Sequence, residues 1–119
     1  VTNQPDVTRG HLSEQELGRM HARLQDALAP DRIDACTASD NTDRRRKPNP
    51  GMLEDAARDL RIDLSRSLMI GDSAKDVGAG RAAGVTTVLL QTGYNISAHG
   101  SADVNLDSHR DIIDYIRSL

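Results

Sequence analysis

Two aspartates, Asp72 and Asp76, follow an apolar run and stand four positions apart. The run at residues 68–70, followed by Gly71, is typical of a parallel strand that is buried on both faces. Asp72 is then expected at the carboxyl edge of the sheet, where open α/β folds bind their ligands. Carboxylate oxygens at such an edge suit a hard cation such as Mg²⁺. This stretch therefore predicts a phosphate-handling α/β domain with a magnesium site.

A hydroxyl and an ammonium group are available at corresponding places in the chain. Thr2 and Lys47, like Asp72, fall in segments that follow predicted strands. Right-handed βαβ connections bring the carboxyl ends of parallel strands to one edge, so we expect these three side chains to converge. Together they could bind a phosphate through a hydroxyl, neutralise it with a lysine and hold a bridging metal ion. The set contains no candidate nucleophile.

The elements that must position these residues alternate between strand and helix. A helix should begin at a capping box formed by Ser13 and Glu16 and end before Pro30. In the terminal helix, three isoleucines are expected to point inward: Ile112, Ile113 and Ile116. Strands are predicted at residues 1–2, 33–37, 68–71, 85–91 and 103–106, and the other helices at about 50–60, 75–83 and 108–118. This order predicts a single α/β domain over residues 1–119, with a Rossmann-like, doubly wound parallel sheet.

The composition excludes several classes of function. A formal net charge of −3 and the absence of Trp and Phe argue against a nucleic-acid-binding protein. No apolar run approaches the roughly 20 residues of a membrane helix. The single Cys36 rules out an internal disulfide and fits a reducing compartment. We expect a cytoplasmic, monomeric protein that acts on a small phosphorylated metabolite and binds neither nucleic acid nor membranes.

Four segments carry a resemblance to a known family. They are VTNQ at 1–4, RKPNPGM at 46–52, GDSAKD at 71–76 and GRAAGV at 80–85. In this order they resemble motifs II, III and IV of the haloacid dehalogenase-like phosphatases. Within that family they are most similar to the branch of D-glycero-D-manno-heptose 1,7-bisphosphate 7-phosphatases and histidinol phosphatases. The resemblance covers nearly the whole chain.

The resemblance implies roles for five residues around the substrate. Thr2 is expected to hydrogen-bond the transferring phosphoryl group, and Asn3 and Gln4 to contact the substrate. Lys47 is expected to steady the phosphate and the nucleophile. Arg46 is expected to help recognise the sugar or a second phosphate, whereas its neighbours Arg44 and Arg45 fit a solvated basic loop.

The resemblance also implies a magnesium site. Asp72 is expected to ligate Mg²⁺, and Ser73 could add a contact through its backbone. Asp76 is expected to orient the site without touching the metal.

Two features depart from the family's pattern. The family's nucleophile and its general acid–base lie in an Asp-x-Asp motif on a central strand upstream of motif II, and no counterpart occurs here. We therefore expect the chain to be incomplete at its start, with a strand and a crossover of about 30 residues before Val1. Many members of the branch also carry a zinc loop of four Cys or His ligands. The corresponding positions here are Cys36, Ala38, Asp43 and Arg45, which cannot close such a site, so we expect no zinc.

The leading hypothesis is therefore a Mg²⁺-dependent phosphatase that hydrolyses a small sugar bisphosphate, D-glycero-D-manno-heptose 1,7-bisphosphate, through an aspartyl-phosphate. Histidinol phosphate is the alternative substrate. A protein that binds a phosphosugar without catalysis is the alternative from another class. A phospho-accepting receiver domain also uses acids, a Thr and a Lys, but in a different order along the chain.

Overall fold

Strands and helices alternate along the chain as the sequence predicts. The computed structural model describes all residues from 1 to 119. The elements are β1 (Thr2–Asn3), α1 (Glu14–Leu28), β2 (Ala35–Cys36), α2 (Gly51–Leu60), β3 (Leu68–Gly71), α3 (Ala74–Ala83), β4 (Thr86–Leu90), β5 (Val104–Leu106) and α4 (His109–Arg117). Single 3₁₀ turns precede β3 and β5. The predicted strand at 33–37 is present but only two residues long.

Every strand pairing in the structure is parallel, which confirms the predicted α/β class. The pairings form two separate sheets, which is the interruption expected from the absence of the family's central strand in residues 1–119. One sheet contains β1 and β2, and the other has the order β3-β4-β5. No hydrogen-bonded strand joins β1 to β3, so each of these two strands has one edge without a partner.

The larger sheet is covered on both of its faces by helices. Met69 and Thr87 lie opposite each other in the β3–β4 register and face α3. Gly80 allows this close approach, because a Cβ atom there would lie 2.7 Å from the Thr87 Cγ2 and 2.9 Å from the Met69 Cβ. On the other face, Ile112 of α4 borders a cavity together with Ile70 and Leu90. The doubly wound arrangement is therefore present in this sheet.

Two apolar helix faces are less covered than their sequence pattern suggests. In α4 only Ile112 is buried, whereas Ile113 and Ile116 are 48% and 44% exposed, so the expectation that all three point inward is wrong. The main sheet contact of α4 is with the three-residue strand β5, which is too short to cover both turns of the helix. In α1 only Leu17 is buried. Three further apolar residues of that face remain exposed: Met20, Leu24 and Leu28.

Side-chain caps fix where three of the helices begin, at Ser13, Ser73 and Ser108. At the start of α1 the Ser13 side chain accepts a hydrogen bond from the Glu16 amide, but the return bond of the predicted capping box is not formed. A reciprocal capping box forms instead at the start of α3, between Ser73 and Asp76. No helix in the chain combines the length and the apolar character that crossing a membrane requires.

Candidate active site

Asp72 follows β3 directly and is held by three hydrogen bonds. Its amide donates to the Asp76 Oδ2 at 3.1 Å, and its carbonyl accepts from the Asn95 Nδ2 at 2.8 Å. The Tyr94 hydroxyl donates to the Asp72 Oδ2 at 2.7 Å. The second carboxylate oxygen, Oδ1, accepts no hydrogen bond within the protein. Asp72 therefore presents one carboxylate oxygen that is available to a ligand.

Lys47 and Asp76 form an ion pair that is largely excluded from solvent. The Lys47 Nζ lies 2.5 Å from the Asp76 Oδ1, and the two side chains are only 12% and 8% exposed. The same ammonium donates to the Val1 carbonyl at 3.3 Å. Ser73 donates to the Asp76 Oδ2 through its backbone amide and its hydroxyl. The contacts therefore run without a break from β1, through Lys47, to the start of α3.

The balance of burial and hydrogen bonding keeps Asp76 ionised. Burial is the largest influence and by itself raises the pKa of this carboxyl group. The hydrogen bond and the charge of Lys47, together with the donors from Ser73 and Asp72, outweigh burial and lower the pKa below its ordinary value. Gly71 is required beside this carboxylate, since a Cβ atom there would lie 2.3 Å from the Asp76 Oδ2.

Asn3 and Gln4 contact the protein itself in this structure. The Asn3 amide group forms two hydrogen bonds with the backbone of Lys47, to its carbonyl at 3.1 Å and from its N–H at 3.0 Å. Gln4 donates to the Thr2 Oγ1 at 3.1 Å. These contacts fix the positions of Lys47 and Thr2. The substrate contacts expected of Asn3 and Gln4 remain predictions.

The Thr2 and Asp72 side chains border different cavities. Thr2 lines a cavity of about 300 Å³ between β1 and α1. Asp72 lines another, of about 460 Å³, together with Ile70, Tyr94 and His109. Lys47 borders neither cavity. The three predicted residues thus belong to one region through the contacts of Lys47, but they do not share a single pocket.

Arg46 is placed differently from the sequence-based expectation. Its side chain is buried, and it donates to the Asn41 Oδ1 and to the Ala38 carbonyl, both at 3.1 Å. These bonds hold the loop before Lys47 in shape. Arg44 and Arg45 form ion pairs with Asp55 and are not simply solvated, contrary to the sequence interpretation. These contacts give Arg46 a structural role, and its expected contact with the sugar or a second phosphate remains a prediction.

The residues present suit Mg²⁺ in a limited way. No group of three or more His, Cys, Asp or Glu side chains could enclose a metal ion. Mg²⁺ nevertheless binds proteins through one or two carboxylates and completes its shell with water and substrate phosphate. The free Oδ1 of Asp72 supplies one such ligand. At the position of the family's zinc loop, the Cys36 Sγ lies 3.7 Å from the Asp43 Oδ1.

Tyr94 and Asn95 are site residues that sequence reasoning missed. Both lie shortly after β4, at the sheet edge where Asp72 follows β3. Their position after a parallel strand was the available signal, because the carboxyl ends of neighbouring strands meet at one edge. The hydrogen bond to Asp72 raises the pKa of the Tyr94 hydroxyl, since a phenolate would lie beside a carboxylate.

Comparison with known proteins assigns the family. The family model described as HAD-hydrolase-like matches residues 44–119, which is more than half of the chain. The chain belongs to the HAD-hydrolase-like family. This match confirms the family resemblance, and three of the four sequence segments lie within the matched range. The matched range includes Lys47, Asp72 and Asp76, but not β1.

Individual relatives of this HAD-family chain are named as phosphatases. It is 35% identical to the D-glycero-beta-D-manno-heptose-1,7-bisphosphate 7-phosphatase of Haemophilus ducreyi, covering 98% of the chain and 72% of that protein. It is 47% identical to the Vibrio cholerae enzyme of the same name, over 60% of the chain and 40% of that protein. The first alignment extends over 132 positions, so the relative contains residues that have no counterpart in this chain of 119.

A solved structure has the same fold over almost the entire chain. The D,D-heptose 1,7-bisphosphate phosphatase of B. bronchiseptica, crystallised with magnesium and phosphate, superimposes with a TM-score of 0.85 at 28% identity. The match covers 98% of this chain and 71% of that one. The agreement includes the N-terminal region outside the family model.

Proposed function

We propose that this protein is a Mg²⁺-dependent phosphatase that hydrolyses D-glycero-D-manno-heptose 1,7-bisphosphate. The observation that carries the proposal is the connected network of Lys47, Asp76 and Asp72 beside the carboxyl end of β3, which contains an ammonium group and a free carboxylate oxygen. The names of the relatives from Haemophilus ducreyi and B. bronchiseptica support the reaction and the substrate.

Lys47 is proposed to bind and steady the transferring phosphate. An ammonium group has three N–H donors. Two of them are used by the Asp76 Oδ1 and the Val1 carbonyl, which leaves one for a phosphate oxygen. The ion pair with Asp76 holds the Lys47 ammonium group in place for the phosphate. Asp76 therefore orients the site without contacting substrate.

Thr2 and Asp72 are proposed to hold the phosphate and the metal from two sides. The Thr2 oxygen accepts from Gln4, so its own O–H is free to donate to a phosphate oxygen. The Asp72 Oδ1 would hold Mg²⁺, and the Ser73 backbone could add a contact there. When bound, the metal ion supplies positive charge that polarises the phosphoryl oxygens.

The nucleophile is proposed to be an aspartate outside residues 1–119. Inside the chain, Asp76 is held in an ion pair with Lys47, and Asp72 is assigned to the metal. A further strand could pair with the edges of β1 and β3 that have no partner, and the carboxyl end of that strand would place its side chains next to Lys47. We propose that such a strand carries the attacking carboxylate, which forms an aspartyl-phosphate that water then hydrolyses.

The substrate class rests on the relatives' names. These names include both the beta and the alpha anomer, so the proposal extends to the heptose bisphosphate and not to its anomer. We further propose that the protein acts as a monomer in the cytoplasm and without zinc. No observation here favours histidinol phosphate, which therefore serves as the competing substrate in the test.

A phosphate-release assay on the protein as its gene encodes it tests the proposal. We expect turnover of heptose bisphosphate in the presence of Mg²⁺, much slower turnover of histidinol phosphate, and loss of activity with EDTA that Mg²⁺ restores and Zn²⁺ does not. Faster release from histidinol phosphate would overturn the substrate assignment. Binding of heptose bisphosphate without turnover would favour the non-catalytic alternative.

Chemical trapping tests the location of the nucleophile. An acyl phosphate formed during turnover can be reduced with borohydride, which labels the aspartate that carried it. We expect the labelled peptide to lie outside residues 1–119. A label on Asp72 or Asp76 would contradict the assigned roles of both residues.

A further inference from the structure

The segment after β4 contains a tyrosine whose only polar side-chain contact with another segment is Asp72. We propose that Tyr94 is a positioning residue, which fixes the Asp72 carboxylate so that its Oδ1 alone faces the metal site. This inference rests on the proposed function, because it assumes that Asp72 ligates Mg²⁺. It adds a residue that the four sequence segments do not contain.

A carboxylate that is anchored only through its backbone does not keep a fixed orientation. Rotation about the terminal bond of an aspartate side chain is broad and nearly two-fold. The backbone of Asp72 is held on both sides, by Asp76 at its amide and by Asn95 at its carbonyl. Only the Tyr94 hydroxyl, 2.7 Å from Oδ2, distinguishes the two carboxylate oxygens. Removing that hydroxyl leaves the backbone in place and frees the carboxylate to rotate.

The backbone around Tyr94 is rigid enough for this role. Asn95 is buried, and its Nδ2 donates to the Leu90 carbonyl at 2.7 Å as well as to Asp72. The Asn95 Oδ1 accepts from the Thr92 amide at 2.8 Å and lies 2.9 Å from the His99 Nε2. These contacts connect the end of β4 with the turn that follows it. Tyr94 therefore extends from a segment that is anchored independently of its own side chain.

The ring of Tyr94 contributes little to packing. The residue is 75% exposed, so the hydroxyl is its main contribution to the structure. A Tyr94→Phe variant therefore removes one hydrogen bond and leaves the fold intact. Tyr115, the other tyrosine, lies on α4 and provides a matched control.

The first test is titration of the protein with Mg²⁺ by calorimetry. Tyr94→Phe is expected to weaken Mg²⁺ binding about three- to tenfold, which is the effect of losing one typical hydrogen bond. Tyr115→Phe is expected to bind Mg²⁺ as the unaltered protein does. Thermal unfolding of both variants should remain unchanged. Unchanged or tighter binding by Tyr94→Phe would overturn the inference.

Tyrosine fluorescence distinguishes a Tyr94 that positions the Asp72 carboxylate from a Tyr94 that competes with Mg²⁺ for the same carboxylate oxygen. In the Tyr115→Phe variant, Tyr94 is the only tyrosine of residues 1–119, which contain no Trp. The emission of Tyr94 is therefore the difference between this variant and the variant that carries both Tyr94→Phe and Tyr115→Phe. A carboxylate that accepts its hydrogen bond quenches its fluorescence. If Tyr94 holds Oδ2 while Mg²⁺ binds Oδ1, the emission stays quenched when Mg²⁺ is added. Recovery of emission with Mg²⁺ would mean that the metal displaces the hydroxyl, and would overturn the inference.

Asp72→Asn distinguishes this inference from the proposed function. Loss of Mg²⁺ binding in Asp72→Asn, together with unchanged binding in Tyr94→Phe, would overturn only the role of Tyr94. Unchanged Mg²⁺ binding in Asp72→Asn would overturn the metal site itself.

Discussion

The molecule has two regions that meet at Lys47, and each region is stabilised internally by a different kind of interaction. In the N-terminal region, residues 1–50, the strands have two residues each, and only Leu17 and Cys36 are buried apolar residues. The C-terminal region, residues 51–119, contains a three-stranded sheet and all the other buried apolar residues. Apolar burial is the dominant favourable contribution to folding, so the C-terminal region should be the more stable of the two.

Polar contacts replace apolar packing in the N-terminal region. The buried Asp34 forms ion pairs with Arg32 at 2.7 Å and with Arg45 at 2.9 Å. Arg32 continues to Asp59 on α2, also at 2.7 Å. Such pairs contribute less than well-packed apolar side chains of similar volume, but they fix geometry. The comparison indicates that Asp72 is positioned by the apolar core of the C-terminal region, whereas Lys47 lies in a loop that is held by hydrogen bonds.

The largest expected effect tests the contribution of the C-terminal region. Asp72→Asn keeps the shape of the side chain but removes its charge. We expect kcat to fall about 100-fold or more, because a neutral amide oxygen is a poor ligand for Mg²⁺. Thermal unfolding should stay close to that of the unaltered protein. Phosphate release and a thermal melt on the same preparation check both statements, and retention of full activity would remove Asp72 from the metal site.

The next largest effect is expected from removing the ion pair between Lys47 and Asp76, which connects the two regions. Lys47→Met removes the ammonium and leaves the Asp76 carboxylate in a largely buried site without its partner. We expect a loss of about 3 kcal/mol in the free energy of unfolding, since an uncompensated buried charge is strongly unfavourable. Denaturant unfolding measures this loss.

A second substitution provides the control for that measurement. Asp76→Asn in the Lys47→Met background removes the stranded charge and should recover part of the stability, although activity stays lost. If the double variant is no more stable than Lys47→Met, then the buried charge of Asp76 is not the cause of the loss.

The sequence predicted features that depend on neighbouring residues along the chain. It did not predict which side chains are buried by other parts of the fold. The order of strands and helices followed from apolar runs and from glycine and proline positions, and the family segments led to Lys47 and Asp72. The burial of Ile113 and Ile116 depends on whether another element lies over them, which a helical period does not specify. The paired environment of Arg46 was hidden for the same reason, because its partners come from the preceding loop.

Substitutions at two helical glycines, Gly80 in α3 and Gly18 in α1, compare how closely the two helices are packed. Gly80→Ala places a methyl group against Met69 and Thr87, where the helix lies directly on the sheet. We expect a net loss of about 1–2 kcal/mol, because overpacking outweighs the gain in helix propensity. Gly18 lies within α1, and a Cβ atom added there would have no neighbour within 4 Å, so Gly18→Ala should stabilise the protein by about 0.5–1 kcal/mol. Equal shifts in denaturant midpoint for the two variants would mean that the two helices are packed alike.

The smallest effect concerns how the C-terminal region responds to acid. The Asp103 Oδ2 accepts from the Thr87 amide at 2.8 Å and from its hydroxyl at 2.7 Å, and these bonds lower the pKa of Asp103 below its ordinary value of 3.8. A lowered pKa in the folded state adds stability at pH values above 3.8, and that stability is lost as the pH falls through the folded value.

An Asp103→Asn variant still has an oxygen that can accept from Thr87 but has no charge to titrate. We therefore expect the unaltered protein to be slightly more stable than Asp103→Asn at about pH 6, and this advantage to shrink below pH 3.8. Denaturant midpoints at about pH 6 and about pH 3 measure the change, and an advantage that grows toward low pH would contradict the assigned direction. Because Asp103 precedes β5 and Thr87 lies in β4, the same measurement shows whether hydrogen bonding adds to apolar packing in the region that contains most of the buried apolar residues.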